Sequence, residues 1–418
     1  MKILIIIILF AQSLPKNEYF VFNIKYNNES GYFTIPLSFG SENEIFELQI
    51  DTTSSVSWIP SPKFPLDVKK YNISDSSTGI LTKQSLELED EDGTVFGKAC
   101  YDTIKIGNYD LEHFGFGLIN VVDYKFNDYP QGKLGLGYNP KNDENFNFVK
   151  QLKKIGIIEK EEFMIEKLEN YLILGDVSKM FEKVRHTACY LVETNDLDRE
   201  YKNSWACNLN AFFFYYSYEV INDAIVNQIY YNDFIKVEGR VIFDSAFKYI
   251  SFPNSYFGSF TSLFFKGFGE TCYLFKDIDS KYFICYNESF IRNAKIYFLI
   301  NDEIYILYFE NLFKKNNDGG YELLIRFYKE NDNVFCFGNP FVYSFDISYD
   351  YEEKKISFYG GNSYSYSELL YKIQKEINDK NWEDAKNFFK FIVYCVVFFV
   401  VIFFAWFIYD KCIKKKLN

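Results

Sequence analysis

Leu48-Gln49-Ile50-Asp51-Thr52-Thr53-Ser54-Ser55 reads as a half-buried strand that ends in a carboxylate and turns through hydroxyl residues. Val56-Ser57-Trp58-Ile59-Pro60 follows it. The same arrangement returns far downstream as Val241-Ile242-Phe243-Asp244-Ser245-Ala246, running on through Phe247-Lys248-Tyr249-Ile250-Ser251-Phe252-Pro253. In both copies an apolar strand ends in Asp, a hydroxyl residue comes next, and a proline closes the unit at the same offset. Two such units, one in each half of the chain, imply two lobes that each supply one carboxylate to a shared site.

This pattern resembles the pepsin-like aspartic proteases, whose signature in each lobe is an apolar pair, Asp, Thr or Ser, Gly, then Ser or Thr. The resemblance runs from about Gly31 to Gly360. Gly31-Tyr32-Phe33-Thr34-Ile35-Pro36-Leu37 is similar to the family's opening strand. Gln131-Gly132-Lys133-Leu134-Gly135-Leu136-Gly137-Tyr138 resembles the apolar-Gly segment that braces the first loop. Val334-Phe335-Cys336-Phe337-Gly338-Asn339-Pro340-Phe341 resembles its counterpart in the second lobe. The resemblance implies a mostly β, bilobal fold, with two pseudo-twofold-related lobes and a cleft between them that takes an extended polypeptide.

It also implies a mechanism. Hydrolysis of a peptide bond without a metal, a cofactor or a covalent intermediate needs one group to take a proton from water and another to protonate the scissile carbonyl. Two carboxyls held together cannot both ionise, and aspartic proteases are the standing example of such a pair sharing one proton. By resemblance Asp51 and Asp244 are that pair, supported by Thr52, Ser54, Ser245 and the hairpin glycine Gly93. Several residues depart from the pattern. Thr53 and Ala246 stand where the family has glycine, so added side chains are expected to strain the loops or push them apart. Phe247 replaces a hydroxyl residue, Asp90 stands where the family's flap carries Tyr, and Lys248 is expected to point away from the carboxylates.

Met1 to Ser13 reads as a secretory signal, with Lys2 before an apolar run and small residues before a cut. The body then begins at once, with no room for a basic pro-segment before Asp51. Residues 14–185 form the expected first lobe and 186–360 the second. Alternating runs such as Phe46-Glu47-Leu48-Gln49-Ile50 argue for antiparallel sheet, and Phe148 to Ile155 for a helix stopped by Gly156. Asn301-Asp302 reads as the turn of a hairpin. Residues 361–388 read as a juxtamembrane stalk. Residues 389–410 read as a spanning helix and 411–418 as a basic cytoplasmic tail. These segments make the expected protein single-pass type I, with its body in the secretory or lysosomal lumen or outside the cell. Lys415-Lys416 also matches a retrieval signal to the endoplasmic reticulum.

Asn28, Asn72 and Asn287 begin glycosylation sequons that suit a lumenal body. The resemblance implies a Cys272–Cys285 bridge; Cys189 with Cys207 is a second pair, and the pairing of Cys100 and Cys336 stays open. No C-x-x-C occurs and only His113 and His186 could assist, so none of these cysteines reads as a metal ligand. A net charge of −12 without a basic block outside the C-terminus argues against nucleic acid as a partner. Nothing in the sequence calls for an oligomer, and a monomer is expected. The expected function is an aspartic endopeptidase acting on extended polypeptides. The alternative is a catalytically impaired pseudo-protease that keeps the cleft for binding. A Ser-His-Asp hydrolase ranks behind both, since neither histidine sits in a motif.

Overall fold

The computed structural model describes residues 19–365, apart from 28–30, 91–92, 125–130, 140–144, 168, 193–203, 216–233, 269–270, 279, 293, 329–332 and 360–362, together with residue 386. The signal segment, Asn28, nearly all of the stalk, the spanning helix and the tail therefore lie outside the described residues. Among the described residues no helix is long and apolar enough to cross a membrane. The chain forms two compact units, Met1–Ser363 and Tyr364–Asn418, and the sheets and site below belong to the first.

Three sheets build this unit, and the two outer ones repeat a single motif. In the eight-stranded sheet of the first half, Glu44–Asp51 runs parallel to Lys133–Gly135, which in turn meets Trp58–Pro60. In the larger sheet of the second half, Ile235–Phe243 runs parallel to Val334–Phe337, which meets Ile250–Pro253. Each motif leaves an aspartate at the end of its first strand, braced from the side by the glycine-bearing strand. The third sheet, of six strands, joins the halves: Glu162–Glu166 pairs with Asp346–Asp350, flanked by Tyr171–Gly175 on one side and Lys355–Tyr359 on the other. His186–Tyr190, where the second lobe was expected to begin, pairs with Lys355–Tyr359 in this joining sheet.

Local chemistry explains the elements. Phe148–Lys154 is helical because Asn147 caps it, its side chain accepting from the Lys150 N–H, and because Gly156 takes a left-handed turn beyond it. Asn301 and Asp302 both adopt positive φ, which lets a two-residue turn connect Lys295–Ile300 to Glu303–Tyr308. Trp205 and Tyr351 are buried from the second half against the first. The Trp205 indole N–H and the Tyr351 hydroxyl both donate to the Leu136 carbonyl, at 2.9 and 2.7 Å. That carbonyl lies just beyond Lys133–Gly135, so the joining core fixes the first brace strand directly.

Cys272 is bonded to Cys285 across the hairpin of Cys272–Lys276 and Ser280–Cys285, and Cys189 to Cys207. Cys100 is a buried free thiol, and Cys336 is likewise buried. Asn287 is exposed, whereas Asn72 is half-buried and caps a short 3-10 turn, its side chain accepting from the Ser74 N–H. Closing the loop between Cys272 and Cys285, 13 residues apart, contributes about 3 kcal/mol in the chain-entropy account. Replacing both cysteines by serine is expected to lower the unfolding free energy by about that amount. Urea unfolding of the variant and parent under non-reducing conditions checks this, and equal midpoints would contradict it.

Candidate active site

The two aspartate loops are stitched to each other by four hydrogen bonds. The Thr52 N–H donates to Ser245 Oγ at 3.2 Å, and the Ser245 N–H donates to Thr52 Oγ1 at 3.0 Å. Each hydroxyl then reaches past the other loop: Thr52 Oγ1 donates to the Phe243 carbonyl at 2.7 Å and Ser245 Oγ to the Ile50 carbonyl at 2.8 Å. Both side chains are fully buried, so each hydroxyl is satisfied twice within the protein. Gln49 adds a further tie, its Nε2 donating to the Ala246 carbonyl at 3.2 Å. Asp51 and Asp244 therefore sit on adjoining turns, at 0% and 3% exposure.

The glycine replacements do not part the loops. Neither Thr53 nor Ala246 adopts a positive φ, so neither needs the freedom that glycine provides. Thr53 turns its hydroxyl inward, donating to Asp51 Oδ1 at 2.7 Å beside its own N–H at 2.8 Å. The Ala246 N–H donates to Asp244 Oδ1 at 2.7 Å. Crowding falls on the brace glycines instead. A Cβ on Gly137 would lie 2.5 Å from the Thr53 carbonyl oxygen, and one on Gly338 would lie 2.2 Å from that of Phe247. The Ser54 hydroxyl, expected beside Asp51, bonds the Val56 carbonyl, and it is the Ser54 N–H that donates to Asp51 Oδ1 at 2.9 Å. Gly93 follows the turn of the hairpin Ile80–Asp90 and Gly93–Ile106, where the side chain of Asp90 lies outside the described residues.

A lysine occupies the other face of Asp51. Lys133 Nζ lies 2.9 Å from Asp51 Oδ2, and the two side chains are 2% and 0% exposed. Burial by itself pushes the Asp51 carboxyl up. The Lys133 charge, with hydrogen bonds from Thr53, Ser54 and Lys133, outweighs that and holds it below its ordinary value of 3.8. Asp51 thus has three donors on Oδ1 and an ammonium facing Oδ2. Lys248 does not take part: its Nζ lies 5.4 Å from the Tyr249 ring centroid. The pseudo-twofold arrangement makes the asymmetry plain. Lys133 pairs with Gln49, two residues before Asp51, and Cys336 pairs with Ile242, two residues before Asp244. One aspartate has a lysine at this position and the other a cysteine. The signal for Lys133 was a charged residue inside an apolar-Gly strand, a place where lysine is almost never buried unpaired.

A family model for eukaryotic aspartyl protease matches residues 31–359, and the chain belongs to that family. Over 108 residues it is 32% identical to pregnancy-associated glycoprotein 1 of Sus scrofa, covering 24% of this chain and 28% of that protein. It is equally similar to gastricsin of Cavia porcellus over 117 residues, 26% of this chain and 29% of gastricsin. Pepsin A-5 of Mus musculus matches at 32% over 108 residues, 24% of this chain and 28% of the relative. The chain thus spans less than a third of the length of these curated relatives.

The depressed Asp51 value fixes a sign. A carboxyl whose folded value lies below its unfolded one adds stability above the unfolded value, and that stability is lost as pH falls through the folded value. Lys133→Met leaves Asp51 buried without its cation and is expected to cost about 3–5 kcal/mol near neutral pH. The cost should shrink as pH falls towards the ordinary carboxyl range, where the variant's Asp51 can take a proton. Urea unfolding at pH 7 and pH 4.5 checks this; a cost that does not change with pH would contradict it.

Proposed function

We propose that this protein is a catalytically impaired member of its family that uses the cleft between its aspartate loops to bind extended polypeptide. The observation that carries the reading is the buried Lys133–Asp51 ion pair. Two-carboxylate hydrolysis requires a proton to pass between the pair and the reacting water. An ionised Asp51 whose Oδ1 takes three donors and whose Oδ2 faces the Lys133 ammonium is a weakened base toward that water and brings no proton to share with Asp244. The stitched Thr52–Ser245 loops preserve the shape of the site without the protonation state that would make it work.

The second reading is a working aspartic endopeptidase, and the same Thr52–Ser245 bonds favour it, because they hold both loops as the chemistry would require. Under either reading the signal-like segment, the sequons and the apolar stretch 389–410 support a body in the lumen or outside the cell, anchored by one helix. Protection of the body from protease in intact vesicles tests that placement.

Full-length protein in detergent, mixed with a denatured polypeptide at pH 3 to 6, is expected to bind it and to release no Asp244-dependent fragments. Lys133→Leu should gain cleavage at acidic pH, and adding Asp244→Asn should remove that gain. Cleavage by the parent that Asp244→Asn abolishes would overturn the impaired reading and leave the endopeptidase.

A further inference from the structure

A cavity of about 580 Å³ opens beside the second aspartate loop, and neither Asp51 nor Asp244 lines it. Its size suits a small molecule. Tyr26 and Phe33 from the first half and Phe313 from the second give it aromatic walls. Lys167, Lys248, Lys314 and Lys315 surround it, against the single carboxylate of Glu310. Among the described residues no carboxylate lies within ion-pair distance of any of the four ammoniums. Lys248 and Lys315 lie instead near the rings of Tyr249 and Tyr321.

A second observation is independent of the charge. Asn339 lines the same cavity at 5% exposure, and neither its Oδ1 nor its Nδ2 has a hydrogen-bond partner. Leaving a buried polar group unsatisfied is costly, so an amide kept in this place is a poor structural choice and a good ligand contact. It borders the mouth shared with Lys248: a Cβ on Gly31 would lie 3.7 Å from Asn339 Nδ2 and 3.6 Å from Lys248 Cγ.

We infer that this cavity binds a small organic anion, a carboxylate or phosphate head on an apolar body. The lysines receive the head, Asn339 offers it a donor, and the aromatic walls cover the body. The cavity adjoins the catalytic-loop framework. The Asn339 N–H donates to the Phe247 carbonyl at 2.7 Å, and Tyr343, another lining residue, donates its hydroxyl to the Ser245 carbonyl at 3.2 Å. Occupancy would therefore be felt by the loop that carries Asp244.

Calorimetric titration of the full-length protein with phenyl phosphate, phenylacetate, phenol and inorganic phosphate tests the assignment. One or both aromatic anions should bind at least about tenfold more tightly than phenol or phosphate, and their order shows which head is preferred. Asn339→Leu and Lys248→Met should each weaken that anion by about tenfold or more. Lys248 is half-exposed, so its variant keeps the test alive if the Asn339 variant unfolds. Aromatic anions that bind no better than phenol, or that bind the Lys248 variant as well as the parent, would overturn the proposal.

Discussion

The reciprocal bonds between Thr52 and Ser245 are the constraint on which the rest of the site depends. Each hydroxyl serves as acceptor for the opposite backbone N–H and as donor to a carbonyl behind the opposite loop. Buried and fully satisfied, such a lattice tolerates little displacement, since parting the loops would strand several polar groups at once. It explains why Thr53 and Ala246 can replace glycine without opening the site. Thr52 and Ser245, the residues just before them, hold the loops across from each other, and the Thr53 hydroxyl turns to Asp51. It also dictates that any charge placed next to one aspartate enters a closed, water-poor space.

Lys133 is that charge. A buried lysine is costly unless paired, and its pairing with Asp51 is the arrangement that makes its burial tolerable. The proposed impairment rests on proton counting: beside that lysine Asp51 is held below its ordinary carboxyl value, whereas two-carboxylate hydrolysis would need a proton shared with Asp244. The lattice and the ion pair both add order to the same few residues.

Much of the fold was legible because it is written twice. Strand, Asp, hydroxyl and proline recur at matching offsets around Asp51 and Asp244, and the glycine-bearing braces recur around Gly135 and Gly338. The Asn301-Asp302 hairpin was readable from its turn residues, and the helix from Phe148 from its apolar spacing and the Gly156 stop. The helix Phe257–Phe268 was harder to read. Its phenylalanines suit a strand by propensity, while Phe257, Phe260, Phe264 and Phe268 recur at helical spacing, and Phe260 and Phe264 pack against Phe283. At the site, the aspartates and their hydroxyl neighbours were visible and Lys248 was expected to point away, but Lys133 was read only as part of the brace segment. Lys248 is close in sequence to Asp244 and turns away, whereas Lys133 is 82 residues from Asp51 and meets it only because their strands run side by side. The brace segment itself was legible, but which of its side chains turns to Asp51 depends on the register of the two strands, so that contact required the fold.

The protonation state of Asp51 in the folded protein tests the central claim most directly. Carboxyl carbon-13 resonances followed through a pH titration, with Asp51 assigned by its loss in Asp51→Asn, report it without reference to any substrate. The ion pair predicts that Asp51 stays ionised down to below 3.8, the ordinary value for an aspartate. An Asp51 that still holds a proton at pH 5, or that shares one with Asp244 in that range, would contradict the account.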